Sequence, residues 1–253
     1  MCGRYVSRTE KQRIAETFHA KIVPEDYDPD FVPDSAYVDK PDYNVAPQTM
    51  QPVVRRSRDT GERELARLRW GLVPFWAKDT KIAYSTINAR AESLATSPTY
   101  REALKHRRCL VPADAFYEWR QIDKKTKQPY AIALADDQMM AFAGLWESWK
   151  DQKTGQSLET YTIITTDPNE LMEPFHDRMP AILSPKDFDR WLGTAEFETQ
   201  PLLPLDLLKP FPSEKLKAWK VGRNVGNTRN NSPELLKPIE SETEGTPSLF
   251  PDL

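Results

Sequence analysis

The sequence predicts an α+β fold, a single domain of mainly antiparallel sheet or partial barrel with helices at its periphery. Segments typical of strands outnumber segments typical of helices along the chain. The two kinds do not alternate regularly, as they would in a parallel α/β fold. The chain has 253 residues, of which 39% are hydrophobic, and this is enough for one large domain with its own core.

Four short helices are predicted. The first begins at Ser7, because Ser7-Arg8-Thr9-Glu10 fits a capping box and apolar residues follow at helical spacing. The second and third cover residues 100–105 and 168–175. The fourth begins at Ser184, a suitable N-cap residue followed by a proline, and ends at Gly193.

Strands are predicted where β-branched, aromatic or apolar residues run together or alternate with polar ones. These segments are residues 52–55, 66–70, 109–111, 130–134, 139–146 and 161–165. The acidic, proline-containing stretch 21–42 is expected to be a surface loop or insertion. Residues 239–253 are expected to form a disordered acidic tail, so that the domain spans residues 1–238.

Composition argues against several classes of protein. No run approaches the ~18 apolar residues of a membrane span, and charges near the N-terminus argue against a signal peptide. An intracellular protein is therefore expected, cytoplasmic or nucleoid-associated if bacterial. The two cysteines and three histidines show no pair at ligand spacing, so neither a disulfide framework, a metal nor a cofactor is expected. The net charge is −3, but acids concentrate in 21–42 and 234–253, which leaves +6 elsewhere and permits a basic groove.

Cys2 is the first candidate reactive residue, because removal of Met1 would leave it at the N-terminus. An N-terminal cysteine carries an amine and a thiol on adjacent carbons, and the pair condenses with an aldehyde to a thiazolidine ring. Reference pKa values of about 7.7–8.0 for the amine and about 8.5 for the thiol make both reactive forms available near neutrality. Position 2 alone is weak evidence, so a chemical role depends on the rest of the sequence.

Two clusters could bind DNA or a ligand, and each has an ordinary structural alternative. Residues 70–76 hold two tryptophans separated by glycine and proline, and form either a turn at the edge of the core or an aromatic platform for bases. Asn88 and Arg90 would face the same side of a strand. That pair suits a hydrogen bond to a reacting group beside a phosphate contact, although an ordinary surface strand has the same pattern.

Two further clusters could move protons. Glu118 lies among three aromatic residues, and burial there would raise its pKa and make it a general acid or base. The alternative is an exposed carboxylate between buried rings. His176 precedes Asp177 and Arg178 in a predicted loop, where it suits a proton donor, although a lone histidine can equally be structural. Cys109, in an apolar strand, is expected to be a core residue.

Taken together, these clusters resemble the SRAP (SOS-response-associated peptidase) family. Seven short motifs occur in the order and approximate spacing of that family: Met1–Tyr5, Tyr43–Pro47, Trp70–Leu72, Ile87–Arg90, Phe116–Trp119, His176–Pro180 and Val225–Asn227. Their combination is specific, although each motif is weak alone. The resemblance covers about residues 2–238. Nothing functional carries over to the acidic stretch 21–42 or to the tail.

The resemblance implies an abasic-site processing protein that forms a covalent thiazolidine crosslink to single-stranded DNA through N-terminal Cys2 and shields the lesion in an SOS-type response. It further implies that Asn88 orients the Cys2 amine and Glu118 shuttles protons. His176 would assist opening of the deoxyribose ring or stabilise the hydroxyl that the opening releases. The implied DNA contacts are phosphate clamps and an apolar wedge against flanking bases: Arg4, Arg90 and Arg178 for the first, Pro47 and Trp70 for the second.

Alternatives to crosslinking stay open. The family name suggests a thiol peptidase that acts on its own initiator Met or on other peptides, with Cys2, Glu118 and His176 as nucleophile and acid/base. A DNA-binding module without chemistry is a third interpretation. The expected partner is single-stranded DNA with abasic sites, with no membrane, and a monomer is expected. Residues 246–250 resemble the Leu-Phe end of peptides that dock on bacterial sliding clamps, without their leading Gln, and a chance match is the alternative.

Overall fold

The computed structural model describes residues 2–23, 40–193 and 203–239, and these residues form thirteen strands and three α-helices. The strands are β1 (Tyr5–Ser7), β2 (Lys21–Ile22), β3 (Asp42–Val45), β4 (Met50–Arg56), β5 (Arg63–Trp70), β6 (Asn88–Arg90), β7 (Arg108–Ala113), β8 (Ala115–Gln121), β9 (Lys127–Leu134), β10 (Met140–Lys150), β11 (Ser157–Thr166), β12 (Met179–Pro180) and β13 (Leu216–Lys220). The helices are α1 (Lys11–Phe18), α2 (Arg101–His106) and α3 (Phe188–Leu192).

Five of the strands close into a barrel in the order β11-β10-β7-β4-β5. Neighbours along this order are antiparallel, and a parallel pairing of β5 with β11, at Trp70 and Tyr161, completes the ring. Three short strands extend the sheet: β6 runs parallel to β11, β12 runs antiparallel to it, and β2 runs parallel to β5. The predicted α+β class, with mainly antiparallel sheet and a barrel, is confirmed.

Both faces of the barrel sheet are buried, and this explains the apolar runs in its central strands. Alternate residues point to opposite faces of a strand. On β7, Cys109 and Val111 lie in the core shared with the second sheet. Leu110 lies in the core packed against the helices, which contribute Phe18 and Trp191. The helices thus cover the outer face of the barrel.

The second sheet has five strands in the order β13-β9-β8-β1-β3, all paired antiparallel. Its strand β1 has only three residues but lies between β3 and β8. The Tyr5 hydroxyl lies 2.7 Å from the Tyr161 hydroxyl of β11, which ties this sheet to the barrel. Cys2 and Arg4 therefore lie where the second sheet meets the barrel.

All six predicted strands are confirmed, within a few residues at their ends. The helices at 100–105 and 184–193 are also observed, the latter as a 3₁₀ turn that leads into α3. The predicted start of the first helix at Ser7 is wrong. Ser7 ends β1, and α1 begins four residues later. The Asp114 carboxylate accepts hydrogen bonds from the Arg8 and Thr9 amides, so a tertiary contact satisfies donors that a capping box would have used.

The helix predicted at 168–175 is also wrong, because these residues form consecutive turns. The Asn169 side chain accepts from the Met172 amide and donates to the Phe211 carbonyl, which fixes a turn instead of a helix. The loop predicted at 21–42 is wrong at both ends, since Lys21–Ile22 forms β2 and Asp42 begins β3. Residues 24–39, and residues 240–253 of the predicted tail with the clamp-like residues 246–250, lie outside the described residues.

Within the described part of the chain, no helix is long and apolar enough to span a membrane.

We expect Gly144→Ala to destabilise the barrel. A Cβ at this position of β10 would lie 2.9 Å from both the Cys109 Sγ and the Thr162 carbonyl oxygen. Overpacking a buried site costs about 1–3 kcal/mol, so the free energy of unfolding in urea should fall by that amount. Gly222→Ala is the control, because a Cβ there meets nothing within 4 Å, and it should change that free energy by less than about 0.5 kcal/mol. Equal losses in both variants would contradict this explanation.

Candidate functional site

Asn88 fixes the backbone at Cys2. The parallel pairing of β6 with β11 places Asn88 opposite Ile163. From there its Nδ2 donates to the Cys2 carbonyl oxygen over 2.9 Å. Its Oδ1 is buried, and no group among the described residues donates to it. A buried acceptor without a donor is uncommon in folded proteins, so this oxygen is suited to accept from a reacting group.

Cys2 is fully buried, with 0% of its surface exposed. Burial, and then the negative charge of Glu118, raise the pKa of its thiol far above the ordinary value, although the Arg4 amide acts in the opposite direction. The thiol therefore stays protonated at neutral pH in this arrangement. Since the thiolate is the nucleophilic form, the thiol depends on a base to accept its proton.

Glu118 lies on β8 opposite Tyr130 of β9 and is only 4% exposed. Burial raises the pKa of its carboxyl from 4.5 to about 7. Of the two interpretations that the sequence left open, the buried carboxyl is the one found in the structure. A carboxyl with this pKa is present in both protonation states near neutral pH, which suits a general acid and base.

His176 follows the turns at 168–175 and precedes β12. Its Nδ1 accepts from the Arg178 amide over 3.0 Å and lies 2.6 Å from Oδ1 of Asp177. The two contacts suit different protonation states: the neutral ring accepts from the amide, and the protonated ring pairs with the carboxylate. Burial lowers the pKa of His176, against the effect of Asp177, so the neutral ring with its proton on Nε2 predominates at pH 7.

An open cleft of about 630 Å³ brings the two proton-carrying side chains together. Glu118 and His176 lie on its wall with aromatic and charged neighbours, among them Trp119, Lys127, Phe175 and Asp177. Cys2 and Asn88 are not among the lining residues. Cys2 is connected to the cleft through its electrostatic neighbour Glu118.

The three predicted phosphate contacts lie in different surroundings. The Nη1 of Arg4 donates to Asn44 Oδ1 over 2.6 Å and to the Val225 carbonyl over 3.0 Å. Its Nη2 donates to the Gly226 carbonyl over 3.3 Å. Arg4 thereby holds the loop that forms the Gly226 side of the cleft. Arg90 is exposed at the end of β6.

Arg178 is almost buried, with 8% of its side chain exposed. Its Nη1 donates to Asp167 over 2.9 Å, and its Nη2 donates to Glu92 over 2.7 Å and to the Thr165 carbonyl over 2.6 Å. These bonds join the end of β11 to the segment that follows β6.

Comparison with known proteins identifies the family. The model of the SOS response associated peptidase (SRAP) family matches residues 1–228. Abasic site processing protein YoqW of Bacillus subtilis (strain 168) is 44% identical over 237 residues, which cover 94% of this chain and 99% of that protein. The chain belongs to the SRAP family.

Relatives extend beyond bacteria. Abasic site processing protein HMCES of Xenopus tropicalis is 34% identical over 238 residues, which cover 83% of this chain and 70% of that protein. The crystal structure of a protein from Bacteroides thetaiotaomicron matches this SRAP chain with a TM-score of 0.79 and 28% identity, over 94% of this chain and 100% of that one.

The proposed wedge residue Trp70 is fully buried in this SRAP protein, with 0% exposed. Its Nε1 donates to the Ile87 carbonyl over 2.8 Å, and its ring packs edge-on against Tyr5 at 5.2 Å between centroids. The prediction that Trp70 stacks on bases is therefore wrong. As the last residue of β5 it points inward, whereas the rings after the following turn are exposed, Phe75 by 55% and Trp76 by 50%.

Pro47 is half-buried in the turn after β3, next to Gln48, whose amide donates to the Trp70 carbonyl. Sequence reasoning missed Lys127, which lies on the wall of the cleft. It also missed Asn44, which accepts from Arg4. The structure shows its placement: the β8–β9 hairpin pairs Lys127 with Gln121, which is on the same strand as Glu118.

We expect Glu118→Gln to change the pH dependence of stability. The folded-state pKa of about 7 lies above the unfolded value of 4.5, so the stability from the protonated carboxyl is present below pH 4.5 and is lost as pH rises through 7. Between pH 5 and pH 8 the wild type should therefore lose about 2–3 kcal/mol of unfolding free energy through this carboxyl. Glu118→Gln should not show this loss, so its stability relative to wild type should rise by the same amount. Urea unfolding of both proteins at the two pH values measures the gain. A constant difference would contradict the raised pKa.

Proposed function

We propose that this SRAP protein processes abasic sites in single-stranded DNA by forming a thiazolidine crosslink through Cys2, once Met1 has been removed. The observation that carries the proposal is the arrangement around Cys2: its carbonyl is bound by Asn88, and it lies in the field of a buried carboxyl with a pKa of about 7. Relatives named abasic site processing proteins support the same activity.

The first step is attack by the Cys2 amine on C1′ of the ring-opened sugar. The Asn88 Nδ2 holds the Cys2 carbonyl, and the buried Oδ1 accepts a hydrogen bond from the amine, which directs its lone pair at the aldehyde. A C–N bond forms and gives a carbinolamine. Glu118 in its protonated form then supplies a proton to the departing hydroxyl, water leaves, and an iminium ion remains.

The second step closes the ring. The Cys2 sulfur adds to the iminium carbon, and its proton passes to the Glu118 carboxylate that the first step produced. The net reaction joins amine, thiol and aldehyde and releases one water. The raised thiol pKa favours this order, because a protonated thiol does not compete with the amine for the aldehyde.

His176 assists the preceding ring opening. The closed sugar must lose the proton of its C1′ hydroxyl and gain one at the ring oxygen. Neutral His176 lies on the wall of the same cleft as Glu118 and can exchange a proton with these oxygens.

DNA would be held around the cleft by arginines and exposed rings. Arg4, Arg90 and Arg178 are proposed to contact phosphates, the task for which the guanidinium group is suited. Phe75 and Trp76 replace Trp70 as the proposed surface on which flanking bases stack, since half of each side chain is exposed.

The thiol peptidase alternative is less well supported by the electrostatics. A thiol nucleophile needs a lowered pKa, and the burial of Cys2 has the opposite effect. A DNA-binding module without chemistry would not need a buried carboxyl with a pKa near neutrality. Both alternatives make distinct predictions in the crosslinking experiment.

We expect the wild type to give a shifted band on a denaturing gel after incubation with single-stranded DNA that contains an abasic site. The band should be absent for Cys2→Ala and should persist for Cys109→Ala, which removes the other, fully buried cysteine. Mass spectrometry of the wild type should show a chain without Met1. Cleavage of a peptide without any crosslink would favour the peptidase, and reversible binding alone would favour the module without chemistry.

We expect Trp76→Ala to weaken binding to single-stranded DNA. Loss of a base-stacking ring costs about 1–3 kcal/mol, so the Kd should rise by about 5- to 150-fold in a fluorescence anisotropy titration. Leu205→Ala is the control, because Leu205 is an exposed apolar side chain (38%) in another segment. An unchanged Kd for Trp76→Ala would remove this ring from the proposed DNA surface.

A further inference from the structure

The outer edge of Arg178 is occupied by acidic side chains. A carboxylate oxygen of Asp167 lies 2.9 Å from Nη1, and one of Glu92 lies 2.7 Å from Nη2. The third partner, the Thr165 carbonyl, binds from the buried side. The guanidinium thus presents its two terminal nitrogens to two oxygens that come from the surface.

This pattern matches the way in which a guanidinium binds phosphate. In a bidentate contact, two oxygens of one phosphate accept from two nitrogens of the same fork. At Arg178 the two oxygens belong to two separate carboxylates instead. Both are anionic acceptors at hydrogen-bond distance, so a DNA phosphate and these carboxylates would use the same donors.

The carboxylates can leave without disturbing the core. The Arg178 side chain is 8% exposed, whereas Glu92 is 56% and Asp167 80% exposed. Ion pairs of such exposed carboxylates are weak, because water solvates the free carboxylate well. Arg178 itself would stay in place, held by Thr165.

Glu92 is also in the field of Arg90, the neighbouring proposed phosphate contact. Burial acts to raise the pKa of the Glu92 carboxyl, but its own amide, Arg178 and Arg90 outweigh this, and the pKa is lowered. Glu92 is therefore ionised at neutral pH and reduces the positive potential of two arginines together.

We propose that Glu92 and Asp167 are internal competitors that occupy the phosphate position on Arg178 and weaken the binding of undamaged single-stranded DNA. The inference rests on the proposed function, in which Arg178 contacts a phosphate. The two acids act through Arg178 and are positioning residues. They keep the guanidinium oriented in the absence of DNA, and they make retention on DNA depend on the covalent step at the lesion.

The test measures binding of a fluorescein-labelled oligothymidylate without abasic sites, by anisotropy at low salt. Glu92→Gln and Asp167→Asn should each lower the Kd by about 2- to 5-fold, and the double variant by more. Glu170→Gln is the matched control: it removes one exposed negative charge three residues from Asp167, but its carboxylate accepts from Ser213 and not from Arg178. It should leave the Kd nearly unchanged.

A double-mutant cycle with Arg178→Gln separates competition for Arg178 from the general effect of removing a negative charge. In that background, Asp167→Asn should no longer tighten binding, and Glu92→Gln should tighten it less than in wild type because only its effect on Arg90 is left. Circular dichroism checks that the variant is folded. Weaker or unchanged binding in both single acid variants would overturn the proposal, as would an equal gain in Glu170→Gln. A merely structural role for the acids would loosen Arg178 and could not raise the affinity.

The abasic-site gel assay, run on the same proteins, separates failure of the proposed crosslinking from failure of the proposed competition at Arg178. Tighter binding in the acid variants together with no crosslink in wild type would overturn the proposed function and leave the competition intact. Normal crosslinking with no gain in affinity would overturn the competition alone.

Discussion

Strand β11 determines both the barrel and the site. It is antiparallel to β10 and β12 and parallel to β5 and β6. The pairing of Tyr161 with Trp70 closes the barrel, and two residues later the pairing of Ile163 with Asn88 places the amide that binds Cys2. A shift of one residue in this register would turn Asn88 to the opposite face of the sheet. The geometry around Cys2 therefore depends on closure of the barrel.

The sequence predicted the parts of the fold that local pattern determines. The barrel strands β4, β5, β7, β10 and β11 are long and apolar or alternating, so each was visible alone. The parallel closure was not predictable in this way, because it joins residues about ninety positions apart and produces no local pattern. Strands β6 and β12 have only three and two residues and form by pairing with β11, so they too give no local pattern in the sequence. At Ser7 the local pattern predicted the start of a helix, but Asp114, from a distant segment, accepts from the Arg8 and Thr9 amides instead.

Part of the candidate site could likewise be predicted from the sequence, and part of it could not. Residue chemistry and family motifs gave Cys2, Asn88, Glu118 and His176 as candidates, and a buried Glu118 was one of two interpretations of its aromatic neighbours. The direction of Trp70 was misjudged, although Leu68 and Trp70 alternate with arginines on β5 and both are fully buried. The partners of Arg178 could not be read from sequence. Glu92 and Asp167 are separated from it by 86 and 11 residues, and only the fold brings them to the same guanidinium.

Several ionisable side chains are buried in this fold, and burial raises the pKa of carboxyls among them. Arg55 pairs with Glu64 and Glu159, and Arg107 pairs with Glu147, all within 2.7 Å, so these charges are compensated by close partners. Glu118 is as deeply buried as Glu147, at 4% and 3% exposure. Burial raises the pKa of both carboxyls, to about 7 at Glu118, while the positive charge of Arg107 acts to lower that of Glu147. Because the pKa of Glu118 lies near neutrality, its carboxyl is present both with and without its proton, which suits the proposed proton exchange beside Cys2.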